Sequence, residues 1–158
     1  MWRRLVIALT AIAVGVTACT SGQSTTPVGC VISPVHRSHV PAGVGGFSPG
    51  SVGIPWIGDD RFVAVLFYAR GGNPDIPAHG GWSDGGSAKI LWWAEGAAAQ
   101  LAVHGRESGG REFTQSFQTI GNGQYPTVVA VPEPGCWTLD AAVGSRHVGS
   151  ITVRAVQR

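Results

Sequence analysis

The stretch Pro132–Val156, PEPGCWTLDAAVGSRHVGSITVRAV, decides the fold class that this chain is expected to adopt. Two β-type runs, 136–143 and 147–156, flank Gly144-Ser145-Arg146, a short turn of the kind that joins the strands of a hairpin. Apolar and polar residues alternate along the first run, and successive strand residues point to opposite faces. We therefore expect one buried face, with Trp137, Leu139, Ala141 and Val143, and one face toward water, with Thr138 and Asp140.

Four segments upstream also have the composition of strands, being rich in aliphatic, β-branched or aromatic residues. They are Arg61–Ala69, Ala88–Gly96, Ala99–Glu107 and Pro126–Pro132. Ala99–Glu107 alternates in polarity, which predicts a hairpin with the strand before it. We assign no element to 111–121, because Phe113, Ser116 and Phe117 do not fit one strand face.

Long segments rich in glycine and proline separate these strands. Val31–Gly58 reads as one short strand within a meandering loop, and Arg70–Ser87 reads as a loop. No stretch supports a long amphipathic helix. About seven short strands with turn residues between them predict an all-β protein, an antiparallel β-sandwich.

The beginning of the chain has the parts of an export signal. Arg3 and Arg4 supply the positive end, and the apolar run Leu5–Val16 is shorter than the roughly 20 residues of a membrane-spanning helix. The junction Val16-Thr17-Ala18-Cys19 resembles the lipobox of bacterial lipoprotein signals. That resemblance implies cleavage before Cys19 and lipid on its thiol. An ordinary signal peptide with an incidental Cys19 is the alternative.

These features divide the chain into three parts. We expect a cleaved lipoprotein signal peptide at 1–18, the lipidated Cys19 with a flexible tether at 19–29, and one domain at 30–158. The tether residues Thr20–Gly29 are small, polar and uncharged, so they have little apolar surface to bury. This division predicts a lipid-anchored protein on the extracytoplasmic face of the cell membrane.

The cysteine count predicts one disulfide. If Cys19 carries lipid, Cys30 and Cys136 remain, and an exported protein occupies a compartment in which disulfides persist. We expect a Cys30–Cys136 bond that ties the start of the domain to a strand near its end. Two free thiols are the alternative.

The charge balance argues against nucleic acid as a partner. The chain has 11 Lys and Arg against 9 Asp and Glu, and removal of Arg3 and Arg4 with the signal leaves 9 against 9. A formally neutral domain without a basic patch lacks the electrostatic footprint of a nucleic-acid-binding protein.

The segment PEPGCWTLDAAVG…SITVRAV resembles the last two strands of immunoglobulin-like sandwiches. With KILWW upstream, it is also similar to uncharacterised bacterial secreted proteins and lipoproteins that carry a W-W segment and then P-x-x-G-C-W-x-[VL]; the similarity covers Lys89 to Val156. It implies an Ig-like fold and brings no established activity. Because Cys30 and Cys136 lie at the domain start and before Trp137, it disfavours an antibody-type disulfide and favours a pinned N-terminal strand.

Tryptophans are the first candidates for a binding site. Trp92 and Trp93 are adjacent, so in a strand one would enter the core while the other meets solvent or a second layer. With Trp56 and Trp82 in loops, an exposed member could belong to an aromatic platform for a glycan or a partner protein. The alternative, which we favour, is a tryptophan-rich core beneath long loops.

Two other patterns point to chemistry only weakly. His36 and His39 are candidate copper or zinc ligands, but no soft ligand set accompanies them and their spacing does not aim both rings at one point. Gly81–Gly85, GWSDG, spells the G-x-S-x-G of hydrolases, yet Ser83 lies in a loop without the strand and helix that this motif requires. Four carboxylates in turns could suggest calcium, but they do not follow the alternating pattern of calcium loops, and turn capping is the interpretation that we favour for them: Asp59, Asp60, Asp75 and Asp84.

These observations predict a membrane-anchored extracytoplasmic lipoprotein that is not an enzyme and needs no cofactor. Its domain would bind an envelope protein or glycan, in addition to the membrane lipid reached through Cys19. A metal-handling lipoprotein using His36 and His39 is the first alternative, and an envelope hydrolase using Ser83 is the second.

Overall fold

The computed structural model describes residues 29–47, 52–69 and 73–157. Within these ranges the chain forms a 3-10 helix, Ala42–Val44, and nine strands: β1 (Trp56–Gly58), β2 (Phe62–Leu66), β3 (Ile76–Pro77), β4 (Lys89–Ala94), β5 (Leu101–Glu107), β6 (Glu112–Phe117), β7 (Gln124–Val128), β8 (Gly135–Val143) and β9 (Arg146–Val156). None of the helical segments in this described part is long and apolar enough to cross a bilayer. The predicted signal peptide, Cys19 and tether residues 20–28 lie outside the described residues.

The strands form two sheets that face each other. The first sheet has the order β1-β2-β4-β7, and the second has the order β3-β9-β8-β5-β6. The paired strands are antiparallel except for β3 and β9, which run parallel. The order β9-β8-β5-β6 matches the G, F, C and C′ strands of a variable-type immunoglobulin sandwich. The prediction of an all-β, Ig-like sandwich is therefore confirmed.

The hairpin at the end of the chain forms as its alternation predicts. In β8 the four apolar residues Trp137, Leu139, Ala141 and Val143 are buried, and Thr138 and Asp140 are only partly buried on the other face. β8 pairs with β9 through the turn at Gly144-Ser145, where Gly144 has a φ of 59°. A non-glycine residue disfavours this left-handed conformation, so the turn is placed by its glycine.

The expected hairpin between Ala88–Gly96 and Ala99–Glu107 is wrong. β4 pairs with β2 and β7, whereas β5 pairs with β6 and β8, so the connection after Ala94 crosses from one sheet to the other. Both strands bury an apolar face, shown by Trp92 and Val103. Two strands can bury their apolar faces equally well as neighbours in one sheet or in two sheets that face each other across a core. The alternation of apolar and polar residues does not distinguish these arrangements.

The sequence missed two strands, β3 and β6. β3 has two residues and lies inside the predicted loop Arg70–Ser87, where it is too short to show a period of two. In β6 the side chains of Phe113 and Phe117 share the inner face with Gln115, and polar Gln115 hides the pattern. Phe113 lies directly over Gly105, where an added Cβ would come within 2.1 Å of its ring.

The core lies between the two sheets and is dominated by tryptophan. Trp92 from β4 and Trp137 from β8 are among the largest fully buried side chains. The indole N–H of Trp92 donates to Thr127 Oγ1 at 3.0 Å, and that of Trp137 donates to the Glu133 carbonyl at 3.0 Å. Because both polar atoms have partners, the rings are buried without leaving an unsatisfied donor.

A second apolar layer covers part of the outer face of the first sheet. Val44 and Trp56 pack there with Val63, Val65 and Trp93, and the N-terminal residues Val40, Phe47 and Ile54 lie against them. Gly43 allows this close approach, because a Cβ at that position would lie 2.5 Å from the Trp93 ring. Gln124 donates a side-chain hydrogen bond to the Val44 carbonyl and fastens the helix to β7.

A buried carboxylate, Asp75, fastens β3 beside β9, so the turn-capping role predicted for this residue is wrong. Asp75 is 4% exposed and accepts hydrogen bonds from Arg154 Nε at 2.9 Å and Nη2 at 2.8 Å, one on each carboxylate oxygen. Tyr68 lies nearby and donates to the Pro74 carbonyl at 3.1 Å. Burial, together with the Asp75 charge, raises the pKa of Tyr68 far above its usual value, so its hydroxyl stays protonated.

Candidate functional site

The tryptophans predicted as a binding platform are largely inside the protein. Trp92 is 1% exposed in the central core, and Trp93 at 6% and Trp56 at 7% lie beneath the N-terminal cover. The expectation that one of the Trp92/Trp93 pair meets a second layer is therefore met. The prediction of an exposed platform built from Trp56, Trp92 and Trp93 is wrong. Trp56 also belongs to β1 rather than to a loop. Trp82 is half-buried in the glycine-rich loop.

The weak metal candidates stand on the surface at the start of the domain. His36 and His39 are both exposed, and the His36 ring stacks on Trp56 with centroids 4.3 Å apart. His36 also exchanges backbone hydrogen bonds with Trp56, which adds this residue to the edge of β1. Among the described residues no group of three or more His, Cys, Asp or Glu side chains could hold a metal ion.

Ser83 lies in a tight turn and not between a strand and a helix. A Gly81–Ser87 bridge closes the loop, and the Gly85 N–H donates to the Trp82 carbonyl at 3.0 Å inside it. Asp84 Oδ1 accepts from the Gly86 N–H at 3.1 Å, the capping geometry expected of an aspartate in a turn. The nucleophile elbow of hydrolases needs a strand that leads into a helix, which is not the setting of Ser83.

The predicted disulfide is present and lies on the outer side of the second sheet. Cys30 and Cys136 are bonded, with their Cα atoms 5.6 Å apart. Cys136 is near the start of β8, and three residues after Cys30 the Ser33 N–H donates to the Thr152 carbonyl of β9 at 3.0 Å. The Thr152 N–H donates in return to Ser33 Oγ at 2.8 Å. These contacts hold the first residues of the domain against the β8–β9 hairpin.

A cleft with both polar and apolar walls opens beside this disulfide. Its volume is about 540 Å³, within the range of small-ligand sites. The cleft is lined by the N-terminal residues, by the end of β5 with its turn into β6, and by β8 and β9: Gly29, Val31, Arg106, Glu107, Ser108, Gly110, Glu112, Cys136, Thr138 and Thr152. We call this site the disulfide cleft.

Hydroxyl groups and charged side chains supply the chemistry of the disulfide cleft. Thr138 Oγ1 and Thr152 Oγ1 lie 3.3 Å apart across the β8–β9 pair. Glu107 is almost buried, and its carboxylate accepts from Ser108 Oγ at 3.1 Å and from the Gly109 N–H at 2.7 Å. Val31, with an exposed fraction of 82%, adds an apolar wall. The cleft therefore offers hydrogen-bond donors, acceptors and one aliphatic contact.

Asp140 organises the polar face next to the cleft. Its Oδ2 accepts from Arg106 Nε at 3.1 Å and Nη2 at 2.6 Å, and its Oδ1 accepts from Ser150 Oγ at 2.5 Å. Partial burial by itself raises the pKa of Asp140, but the hydrogen bonds from Ser150 and Arg106 outweigh it and hold the pKa below its usual value. Asp140 is thus a charged anchor that fixes Arg106 at the cleft wall.

Ser150, His147 and Asp140 are the residue types of a hydrolytic triad, but their hydrogen bonds differ from it. Ser150 donates directly to Asp140, and His147 Nε2 lies 3.0 Å from Ser150 Oγ and 3.9 Å from Asp140 Oδ1. In a triad the carboxylate holds one imidazole nitrogen and the serine hydroxyl faces the other. These three residues therefore form a surface hydrogen-bond network.

No pattern in the sequence marks the cleft residues other than Cys136. The alternation of β8 placed Thr138 on the solvent side, which is correct, but nothing marked Thr152 or Arg106 as its neighbours. Those contacts come from the register in which Thr138 lies between Arg106 of β5 and Thr152 of β9. Register between distant strands is fixed by packing, and local pattern carries little of it.

Comparisons with known proteins show a similarity of fold. No family model matches this chain, and no curated protein matches it. The fold is similar to that of a solved structure described as a "putative lipoprotein" from Bacillus anthracis, with a TM-score of 0.50 and 14% sequence identity. The match covers 82% of this chain and 88% of that one. At this identity the likeness concerns the fold alone.

Proposed function

We propose that this protein is a lipid-anchored extracytoplasmic lipoprotein whose sandwich domain binds a polar glycan of the cell envelope in the disulfide cleft. Binding is non-catalytic and needs no cofactor. Cys19 carries the lipid, Thr20–Gly29 is the tether, and the Cys30–Cys136 bond joins the tether to the wall of the binding site.

The observation that carries this proposal is the disulfide cleft itself. It is a concave site of about 540 Å³ in which two threonine hydroxyls stand 3.3 Å apart beside carboxylates and a guanidinium. Sugar rings present hydroxyl groups at similar spacing, and each hydroxyl both donates and accepts hydrogen bonds. A lining rich in such groups suits a ligand of the same kind.

The shape and polarity of the site favour a glycan over a protein ligand. Protein interfaces have cores enriched in aromatic residues and depleted in Glu, Asp and Ser. The face around Thr138 carries residue types that are depleted there, with Ser108 and Ser150 exposed and Asp140 half-buried. A narrow ligand that enters the cleft between the N-terminal residues and β5 fits these surroundings better than a broad protein surface.

Two further facts support the anchoring part of the proposal. The lipobox-like VTAC sequence lies ten residues before Gly29-Cys30, so the anchor and the domain are close along the chain. The Bacillus anthracis protein with a similar fold is itself described as a putative lipoprotein. In both cases the inference concerns export and lipidation, and the disulfide fits an oxidising compartment outside the cytoplasm.

The binding test replaces both threonines by valine. The double variant Thr138→Val/Thr152→Val keeps β-branched residues in the strands but removes the paired hydroxyls. The purified full chain is titrated calorimetrically with muramidase-released cell-wall fragments. The affinity of the variant should be lower by about tenfold or more, since each lost hydrogen bond contributes about 0.5–1.5 kcal/mol.

Thr114→Val is the matched control, because Thr114 lies on the same sheet in β6 but outside the cleft lining. It should bind like the parent protein. Equal affinities of the parent and the double variant would contradict the proposal. So would an absence of binding to the wall fragments together with saturable binding of an envelope protein that the double variant loses.

A further inference from the structure

The outer face of the first sheet is only partly covered by the N-terminal residues. The cover packs over β1 and β2 through Val44, Trp56 and Trp93. At the border of the cover, where the rings of Phe47 and Phe67 stack with centroids 6.4 Å apart, an apolar patch remains near the ends of β2, β4 and β7. Phe67 and Val128 are each 47% exposed there, Leu91 is half-buried and Pro126 is exposed. We call these four residues, Phe67, Leu91, Pro126 and Val128, the apolar patch.

A cation, Lys89, lies beside this apolar patch. Lys89 pairs with Val128 across the β4–β7 ladder, and its Nζ lies 5.6 Å from the centroid of the Phe67 ring. The Phe67 N–H donates to the Lys89 carbonyl at 3.1 Å, which fixes these two residues side by side. Aliphatic and aromatic side chains around a lysine form the kind of surface that lies in the headgroup region of a bilayer.

The apolar patch and the N-terminus of the domain are at the same end of the sandwich. A series of backbone contacts runs across that end from the patch to the disulfide: Lys89 with Val128, Ala88 with Val129, Ala78 with Val131, Ala78 with Val156, and Gly135 with Ala155. Cys136 follows Gly135 and holds Cys30. Cys30, near the first described residue, is therefore at the end that carries the exposed apolar side chains.

We propose that the apolar patch, with Lys89, rests on the surface of the anionic membrane that holds the lipid anchor. The proposal depends on the lipid anchoring proposed above and adds an orientation to it. The tether fits this arrangement, because its ten residues span at most about 35 Å when extended and average about 18 Å when flexible. In this orientation the disulfide cleft, on the outer side of the opposite sheet, faces away from the bilayer.

Site-specific fluorescence tests the orientation on the full, lipidated chain. Val128→Cys and Ser145→Cys place one reactive thiol each at the patch and at the far hairpin turn, since lipid and the disulfide occupy the other three cysteines. Each is labelled with an NBD maleimide and reconstituted in vesicles of equal parts phosphatidylglycerol and phosphatidylcholine. Headgroup-nitroxide lipid should quench the probe at position 128 several-fold more strongly than the probe at position 145.

Two second-site changes separate the patch from the anchor. In the Val128→Cys background, Phe67→Ser should lower the quenching severalfold although the lipid still holds the protein on the vesicle. Lys89→Glu should do the same in the mixed vesicles, with a smaller effect in vesicles of phosphatidylcholine alone, where the anionic headgroup is missing.

The outcomes distinguish this inference from the proposal on which it depends. Equal quenching at positions 128 and 145 in a chain with the diacylglyceryl mass overturns the orientation and leaves the anchor standing. A chain that lacks that mass overturns both. Protection of the position 128 probe that grows with protein concentration and persists without vesicles would show a second copy on the patch, which also overturns the orientation.

Discussion

Asp140 has several partners, and each lies on a different part of the second sheet. Arg106 from β5 and Ser150 from β9 both donate hydrogen bonds to its carboxylate, and His147 from the β8–β9 hairpin approaches within 3.9 Å. Asp140 therefore links three strands on the face next to the disulfide cleft. Loss of its charge should release Arg106, whose side chain is already 56% exposed, from the cleft wall.

The lowered pKa of Asp140 predicts an acid-sensitive contribution to stability. Partial burial raises this pKa, but the hydrogen bonds from Ser150 and Arg106 lower it by more than burial raises it. The pKa of Asp140 in the folded protein therefore lies below the unfolded value near 3.8. A group of this kind stabilises the fold above its unfolded pKa and loses that contribution as pH falls through the folded pKa. We expect less than about 1 kcal/mol, because the site is partly exposed and screened by solvent.

Denaturant unfolding measured from about pH 5 down to about pH 2 checks this prediction. Asp140→Asn should lower the free energy of unfolding at the upper end and should converge with the parent protein at the lower end. A constant difference between the two proteins over the whole range would contradict the assignment of the lowered pKa to Asp140.

At this scale the sequence showed which side chains face out but not which ones meet. The alternation of β8 placed Trp137 inside and Asp140 outside, and both are where they were expected. The tryptophan pair was less informative. The sequence predicted that one of the two would point away from the core but not which one. It is Trp93, and it is 6% exposed because Val44 and Gly43 cover it. Nothing local to Trp93 records a cover that comes from residues about fifty positions earlier.

Among the elements, β6 shows how the sandwich is closed at one edge. The side-chain amide of Gln115 in β6 makes two hydrogen bonds to the backbone of Ala130. Its oxygen accepts from the Ala130 N–H at 3.1 Å, and its nitrogen donates to the Ala130 carbonyl at 3.5 Å. Ala130 follows β7, which belongs to the other sheet. One side chain therefore bridges the two sheets where their backbones do not pair.

Removal of the Gln115 amide should destabilise the protein measurably. Gln115→Ala leaves the backbone groups of Ala130 without these partners, and we expect a loss of about 1–2 kcal/mol in the free energy of unfolding. Gln118→Ala is the matched control, because Gln118 lies just after β6 and is exposed. Equal stability of the two variants in urea unfolding would show that the bridge contributes nothing.

The strands with clear composition were predictable, while their partners were not. Phe62–Leu66, Lys89–Ala94 and the β8–β9 hairpin all lie within segments that the sequence marked as strands. β5 was marked as well, but it was given the wrong neighbour. β6 was missed because no single strand face holds Phe113, Ser116 and Phe117. In the structure Ser116 is on the outer face, and the inner face has polar Gln115 between the two phenylalanines. A polar residue with a structural role breaks the apolar pattern that prediction depends on.

Over the whole molecule, the disulfide has two consequences. It closes a loop that holds almost the entire domain, with a sequence separation of 106 residues. It also fixes Gly29 and Val31 as walls of the disulfide cleft. Its pairing was predictable from the count of three cysteines, together with the expected export and the lipid expected on Cys19. The cleft was not, since it exists only where the N-terminal residues meet strands that lie more than seventy residues later in sequence.

Replacement of both cysteines by serine should weaken the fold and the site together. For a loop of about 100 residues the loss in unfolding free energy is at most about 4.7 kcal/mol, and natural disulfides in small domains typically contribute about 2–5 kcal/mol. The Cys30→Ser/Cys136→Ser variant should also bind wall fragments less tightly at a temperature where it is still folded. Unchanged binding would show that the N-terminal wall plays no part.

The orientation proposed for the domain joins these parts. Cys30 and the apolar patch lie at one end of the sandwich, and the disulfide cleft opens on the outer side of the second sheet. An anchored domain placed in this way would present the cleft to the envelope while its patch rests on the lipid. The fold alone does not specify this use, because sandwiches of this type carry many functions.

Intact-mass and peptide mass spectrometry of the full-length protein, extracted from its own membrane without reductant, tests the anchored, disulfide-bonded state directly. We predict an N-terminal peptide that begins at Cys19 and carries a diacylglyceryl mass, together with a Cys30 peptide linked to a Cys136 peptide. An unmodified Cys19 in a chain that still has residues 1–18, or free thiols at positions 30 and 136, would contradict it.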